Sequence, residues 1–303
     1  MKRLFTSILC LLTVLSLVGC GRKSDPTGEV IVSEEVQAAP EAELNAITYC
    51  DGTVTARFIM DETGAWSWVD SPEFPLSEEK MEELKGFPAQ VRALSPLVPQ
   101  EELAAYGLET PTRYLAVSYS DNSREIFYFG KQSEAGSWYV RTEDMAKIYI
   151  APEEMGAMLS RSVYDMMSLP ALPVLTEENL RSVTFKRGED GIVLTWKDGQ
   201  WKKGTYEATA AMIAAAEDVM ELSLAKCMDY TPAEGAWEVC GLTEPQMTVL
   251  VSYVNTVGVD SEETILIGNF RESENGYYAA LNEDSTIYLL SAPVLAQILA
   301  LTF

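Results

Sequence analysis

Histidine is absent from the 303 residues of this sequence. The imidazole ring accepts the proton in Ser-His-Asp and Cys-His catalytic sites, and it is a common ligand of zinc and iron. Its absence excludes those hydrolases and all histidine-ligated metal sites. Carboxylate pairs, serine–lysine dyads and Mg²⁺ or Ca²⁺ sites stay chemically open, but no calcium-loop or phosphate-loop spacing is present. We therefore expect a protein that is not an enzyme and has no cofactor and no metal.

Positive charge is scarce. The sequence has 22 lysines and arginines against 46 acidic residues, which gives a formal net charge of −24. Such a surface neutralises few phosphates, so we expect no nucleic acid partner. A basic partner or divalent cations would suit this charge, and solubility alone is the other explanation for it.

Cysteines are few and have no metal or redox spacing, since no Cys-x-x-Cys pair is present. Cys10 and Cys20 lie at the N-terminus, which leaves Cys50, Cys227 and Cys240 in the body of the chain. Three is an odd number, so at most one disulfide can form. Either Cys227 and Cys240 form a disulfide that closes a small loop, or all three cysteines are partly buried thiols.

Long apolar runs are missing after residue 20, and the run before it is short. Residues 4–18 make up 15 positions, whereas a membrane-spanning helix needs about 20. Lys2 and Arg3 precede this run, and Leu17-Val18-Gly19-Cys20 ends it in the pattern of a lipoprotein signal. The sequence predicts a signal peptide at 1–19 and lipidation of Cys20, which anchors the protein to the outer face of a bacterial plasma membrane. A retained transmembrane helix and a secretory signal cut elsewhere are the alternatives.

Residues 20–43 are predicted to be the lipidated cysteine and a flexible acidic tether. The segment is rich in Gly, Pro, Ser, Ala and Glu and poor in large apolar side chains. Such a composition cannot bury enough surface to fold. As a flexible chain, it would hold the body on the order of 25 Å from the membrane.

The body of the chain contains an internal repeat. Two motifs recur at a shift of 134 residues, a Val-Ser-Tyr strand segment and a Gly-Leu turn with a proline three residues later. They are Val117-Ser118-Tyr119 with Val251-Ser252-Tyr253, and Gly107, Leu108 and Pro111 with Gly241, Leu242 and Pro245. The sequence therefore predicts two tandem repeats, at 44–168 and 174–303, joined by a proline-containing segment.

Each repeat reads as strands with segregated helices, which is typical of an α+β fold with an antiparallel sheet and two or three helices. Ser77 stands where it would cap the first helix, and the corresponding helix of the second repeat is predicted at 208–224. Gly107 and Gly241 stand where a left-handed residue ends a helix in a Schellman motif.

The motif Tyr106-Gly107-Leu108-x-x-Pro111, a strand pair ending in Gly130, and Tyr139 with Ile148-Tyr149 resemble a bacterial envelope family, domain of unknown function 4340. The resemblance covers nearly all of the mature body, in two copies. It implies a lipoprotein or membrane-anchored protein, in some cases encoded near ABC-type transport components. It brings no established catalytic or ligand residues. Because Cys240 replaces Tyr106 in the second copy, we expect that this side chain is not essential to both.

A longer loop in the second repeat is the candidate partner contact. Residues 255–263 exceed their counterpart at 120–123 and carry Asp260, Glu262 and Glu263. The alternative is that this hairpin is unconstrained and its loop became longer by evolutionary drift. Six tryptophans could stack on sugars, although packing of the core and sheet explains them better.

The sequence favours a non-enzymatic, lipid-anchored module for protein–protein contact or scaffolding outside the membrane, with an envelope or transporter protein as partner. A lipoprotein that captures a sugar or peptide in a tryptophan-lined inter-domain cleft is one alternative. A carboxylate-dependent hydrolase is the other, and it requires two converging carboxyl groups, one with a raised pKa.

Overall fold

Strands dominate the molecule. The computed structural model describes residues 29–30, 42–99, 101–143, 147–282 and 284–303, and 42% of these residues lie in strands and 22% in helices. The predicted α+β class is therefore wrong, and the protein is mainly β. The longest of the described helices has 15 residues.

The first sheet has nine strands, all paired antiparallel. They are β1 (Glu29–Val30), β2 (Leu44–Asp51), β3 (Thr55–Met60), β4 (Trp66–Trp68), β5 (Pro96–Val98), β6 (Arg113–Tyr119), β7 (Arg124–Gln132), β8 (Trp138–Thr142) and β9 (Ile148–Ala151). Their order across the sheet is β1-β5-β9-β8-β7-β6-β2-β3-β4.

The second sheet also has nine antiparallel strands. They are β10 (Leu180–Arg187), β11 (Asp190–Lys197), β12 (Gln200–Lys203), β13 (Tyr206–Glu207), β14 (Leu224–Asp229), β15 (Met247–Val254), β16 (Asp260–Arg271), β17 (Gly276–Leu281) and β18 (Ile287–Ser291). Their order is β13-β12-β11-β10-β15-β16-β17-β18-β14.

The two sheets have the same strand order over eight strands. The run β4-β3-β2-β6-β7-β8-β9-β5 corresponds to β12-β11-β10-β15-β16-β17-β18-β14. The first sheet adds β1 beside β5, and the second adds β13 beside β12. Each described half therefore completes its own sheet.

The described ranges also contain five α-helices and three 3-10 helices. They are α1 (Glu78–Arg92), α2 (Glu153–Met158), α3 (Ala210–Met220), α4 (Ala236–Val239) and α5 (Ala292–Ala300), with 3-10 helices at Leu103–Tyr106, Val163–Met166 and Glu272–Glu274. Ser77 caps α1 and Thr209 caps α3, each by accepting a backbone N–H bond at 3.4 Å. Helix α3 is shorter than the predicted 208–224, because Leu224 starts β14 and pairs with β18.

Alternation along the strands places apolar clusters on both faces of each sheet. Val140 of β8 belongs to the main core, and its neighbour Tyr139 belongs to a smaller cluster on the opposite face. In β17, Ala279 likewise belongs to the main core, and Ala280 belongs to a smaller cluster on the opposite face. The main core is continuous through both halves. The smaller clusters lie separately, one on the outer face of each sheet.

The two halves also touch through specific side chains. The ring of Phe74 meets that of Tyr230 edge-on, with centroids 5.0 Å apart. The Tyr164 hydroxyl donates a hydrogen bond to the Asp229 carboxylate at 3.2 Å. These contacts bring Phe74 and Tyr164 of the first half against the end of β14 and the residue that follows it.

Candidate functional site

The predicted lipidation site, Cys20, and the predicted signal peptide at 1–19 lie outside the described residues, as does most of the predicted tether at 20–43. Glu29 and Val30 of that segment form β1 and pair with β5, so the tether is not flexible along its whole length. Over the described part of the chain, no helix is long and apolar enough to cross a membrane.

The first Gly-Leu turn is a Schellman motif. Gly107 has a φ of 71°, and its N–H donates to the Ala104 carbonyl at 3.0 Å. The N–H of Leu108 donates to the Leu103 carbonyl at 2.9 Å, and its side chain is fully buried. Pro111 follows, half-buried, where the chain enters β6.

The second turn repeats this geometry. Gly241 has a φ of 70° and donates to the Glu238 carbonyl at 3.0 Å. Leu242 donates to the Trp237 carbonyl at 2.8 Å and is buried. Pro245 again follows, half-buried. Both turns are thus built for chain reversal over an apolar cluster, which is a structural role.

Each turn packs against a glycine of the adjoining sheet. A Cβ atom on Gly130 would lie 2.2 Å from the Tyr106 carbonyl oxygen, and one on Gly268 would lie 2.2 Å from that of Cys240. The ladders of β7 and β16 shift register at these points. Sequence reasoning placed Gly130 at the end of a strand pair but missed the role of these two glycines. They let the turn approach the strand backbone closely.

The three cysteines of the body are free thiols. Cys227 and Cys240 are buried, whereas Cys50 is half-buried. Burial raises the pKa of the Cys227 thiol to about 12 and also raises the pKa of Cys240. Of the two alternatives that the sequence left open, the structure therefore shows thiols and no disulfide among these residues.

The three candidate contact residues lie on the hairpin of β15 and β16. Strand β16 begins at Asp260, so the loop spans only 255–259 and the predicted loop at 255–263 is too long. Asp260 and Glu262 share one face of the strand, and Glu263 points to the other. Asp260 and Glu262 are exposed, and Glu262 accepts a hydrogen bond from the Ser252 hydroxyl at 3.1 Å.

Glu263 is half-buried, and burial raises the pKa of its carboxyl above the usual value. The carboxyl accepts a hydrogen bond from the Asn282 side-chain amide at 2.9 Å, which acts in the opposite direction. The group that faces the Glu263 carboxyl, whose pKa is raised, is thus an amide. Carboxylate-dependent hydrolysis requires a second carboxyl group in that place.

The Asn255 side chain supports the loop between β15 and β16. The Asn255 side-chain oxygen accepts N–H bonds from Val257 at 3.1 Å and from Val259 at 3.0 Å, and its amide nitrogen donates to the Ser261 hydroxyl at 3.0 Å. The side chains of Val257 and Val259 are 79% and 56% exposed. The tip therefore presents two apolar groups on an ordered turn.

The counterpart loop of the first half is polar. Residues 120–123 read Ser-Asp-Asn-Ser, and Asn122 adopts a φ of 67° at the turn. The two valines are therefore a feature of the second half alone. Sequence reasoning chose the acidic residues of this loop and missed the valines, although a Val-Gly-Val run between polar residues was a visible signal.

Tryptophans line a groove in each half. Trp196 and Trp201 meet at 5.2 Å between ring centroids and line a groove of about 430 Å³ beside α3. Trp66 lines a groove of about 490 Å³ beside α1. Each of these grooves lies between a helix and a hairpin of one half, not between the halves. Over the described residues, no group of three or more Cys, Asp or Glu side chains could hold a metal ion.

A family model described as a domain of unknown function, DUF4340, matches residues 66–237, which is more than half of the chain. The chain belongs to the DUF4340 family. This confirms the resemblance carried by the Tyr106-Gly107-Leu108 motif. The DUF4340 match extends from β4 into α4, so it contains the groove beside α3 and most of the groove beside α1, and it ends before the β15–β16 hairpin. No curated protein and no solved structure matches the chain.

Proposed function

We propose that this DUF4340 protein is a non-enzymatic, lipid-anchored module on the outer face of the bacterial plasma membrane, and that it contacts an envelope protein through the tip of the β15–β16 hairpin. Lipid on Cys20 would provide the anchor. The partner that we favour is a component of an ABC-type transport system, on the strength of the family resemblance.

The ordered, apolar hairpin tip is the observation that carries this proposal. Val257 and Val259 expose apolar surface to water, and contact with a partner would bury it. Because Asn255 already fixes the turn, little conformational entropy remains to be lost when a partner covers it. The exposed carboxylates of Asp260 and Glu262 beside the valines would orient a complementary surface.

We also propose that the two halves are tandem copies of one unit. Three observations support this proposal: the common order of eight strands, the two Schellman turns, and the matched close approaches at Gly130 and Gly268. Only the second copy carries the valine tip, so the partner contact would belong to that copy.

Site-specific photo-crosslinking in cells tests the contact. A benzophenone amino acid at Val257 should give one discrete adduct with an envelope protein. The same probe at Asn122, in the counterpart loop of the first half, is the matched control and should give none. Identical adduct patterns at both positions, or no adduct at Val257, would show that the hairpin tip is not the contact.

A further inference from the structure

The groove beside α3 has an apolar floor. Leu180 and Trp201 are buried there, and Trp196 and Met220 are half-buried. A second groove of about 280 Å³ lies next to it and shares Trp196, Trp201 and Glu217 with it. The two grooves therefore form one surface that runs past the tryptophan pair, which we call the α3 groove.

The rim of the α3 groove is acidic. Glu177, Glu217, Asp218 and Glu221 line it, no lysine or arginine does, and none of these carboxylates belongs to an ion pair of the described residues. Every cation that could offset their charge must therefore come from outside the groove.

Three of these carboxylates stand where the helix itself disfavours them. Glu217 and Asp218 lie in the last turn of α3, Glu221 is its C-cap residue, and that turn contains no basic residue. The C-terminal end of a helix carries partial negative charge, so carboxylates there are repelled and cations are attracted. The chain thus retains an unfavourable charge arrangement at the edge of an aromatic floor.

The groove beside α1 occupies the equivalent place in the first half, and there the charge is compensated. Glu78 and Glu82 line it together with Lys85, whose ammonium group forms an ion pair with Glu82. Glu78 lies in the first turn of α1, where the helix dipole favours a carboxylate. The same location is therefore nearly self-neutralised in one half and left acidic in the other.

We propose that the α3 groove binds an arginine- or lysine-containing peptide segment. One cationic side chain would lie against Trp196 and Trp201, because an aromatic face attracts a cation. Its head group would be held by Glu217 and Glu221, and the peptide would continue past the tryptophan pair into the adjoining groove. This site is separate from the hairpin tip, and its existence does not depend on the contact proposed there.

A neutral sugar is the competing occupant, because tryptophan faces also stack on sugar rings. A sugar, however, would leave the four rim carboxylates and the helix C-terminus uncompensated. A cationic side chain satisfies the aromatic floor and the acidic rim together, so charge complementarity favours the basic peptide.

Fluorescence anisotropy with a labelled, acetylated and amidated tetra-arginine peptide tests the proposal on the purified full chain in detergent micelles at 150 mM NaCl. The E217Q/E221Q variant should bind this peptide about tenfold more weakly, because two carboxylate contacts are lost. Trp196→Leu should weaken binding about threefold or more, because the cation–π contact is lost. The E78Q/E82Q variant removes the same charge from the α1 groove and should change binding less than twofold.

Three outcomes would overturn the proposal. Equal weakening by E217Q/E221Q and E78Q/E82Q would show binding to the acidic surface in general. The absence of measurable binding would show that no such site exists. Binding of chitotetraose that is lost in Trp196→Leu and unchanged in E217Q/E221Q would identify a sugar site. Thermal melting of each variant checks that it is folded, and photo-crosslinking at Val257 reports separately on the hairpin tip.

Discussion

Replacing a turn glycine with a residue that carries a side chain is expected to destabilise the fold. Gly107 has a positive φ, where a β-branched residue is strained, and a Cβ atom there would lie 2.7 Å from the Lys131 backbone nitrogen. Gly107→Val should therefore lower the free energy of unfolding by about 1 kcal/mol or more. Gly241→Val should behave similarly. The control is Gly191→Val in β11, where the nearest contact would be an ordinary 3.6 Å. Urea denaturation measures all three, and equal effects at Gly107 and Gly191 would contradict the prediction.

The carboxyl of Glu263 predicts a pH dependence of stability. Because its pKa is raised in the folded state, the ionised form destabilises the protein above that pKa, and this cost disappears as the pH falls below the pKa of the unfolded chain. Glu263→Gln should therefore raise the Tm at pH 8, and the gain should shrink toward pH 4. Exposed Glu262→Gln removes the same charge and is the control. A gain at Glu263 that is no larger than at Glu262, or that does not depend on pH, would count against this account.

At the scale of elements, local signals in the sequence predict more than long-range ones do. Ser77 caps α1 as its spacing indicates, because a cap depends on neighbours three residues away. The predicted helix at 208–224 extends too far, because Leu224 pairs with β18 and no local pattern reveals that partner. The α+β prediction fails for the same reason: pairing between strands that are far apart in the sequence extends each sheet to nine strands, and no local pattern reveals it.

The candidate site shows the same limit. Asp260, Glu262 and Glu263 follow one another closely, so the sequence could group them, yet strand alternation separates Glu263 from the other two. Glu177 and Glu217 lie far apart in the chain and meet at the α3 groove only through packing. A single sequence holds no signal for such an encounter.

The hairpin tip should depend on Asn255. Asn255→Ala removes two N–H bonds that fix the loop and one bond to Ser261, so we expect about 1 kcal/mol of local stability to be lost. Hydrogen exchange at the amides of Val257 and Val259 should become faster. Thr256→Ala, an exposed change in the same loop, is the control. Unchanged exchange in Asn255→Ala would mean that the strands alone hold the turn.

At the scale of the whole molecule, each half completes its own sheet but shares the main core with the other. Residues 44–168 alone should fold, because all the strand pairs of β2 to β9 lie within them. Their Tm should be lower than that of the full chain, because Phe74 and Tyr164 lose Tyr230 and Asp229. Calorimetry of both proteins checks this. Two separate transitions in the full chain, one at the Tm of 44–168, would show that the halves do not stabilise each other.

Membrane attachment is predicted to depend on one atom, the sulfur of Cys20. Cys20→Ala should release the protein from the membrane fraction, because no later segment of the sequence has the length and apolarity of a membrane span. Cys10→Ala, within the predicted signal peptide, should leave the protein attached. Fractionation after a high-salt wash measures both. Retention of the Cys20→Ala protein in the pellet would rule out lipid anchoring at this residue.

The pairing of β2 with β6, and of β10 with β15, is expected to slow the folding of each half. Ile47 pairs with Val117, and Val183 pairs with Val251, so each sheet joins a strand from the start of its half to a strand from the middle of that half. Closing such long loops makes folding slow, since the entropy of closure is lost before the contacts reward it. The ribosome synthesises the N-terminus first. The apolar side chains of β2 and β10 therefore stay without their partner strands until β6 and β15 have been synthesised. We therefore expect each half to be prone to aggregate until this pairing forms.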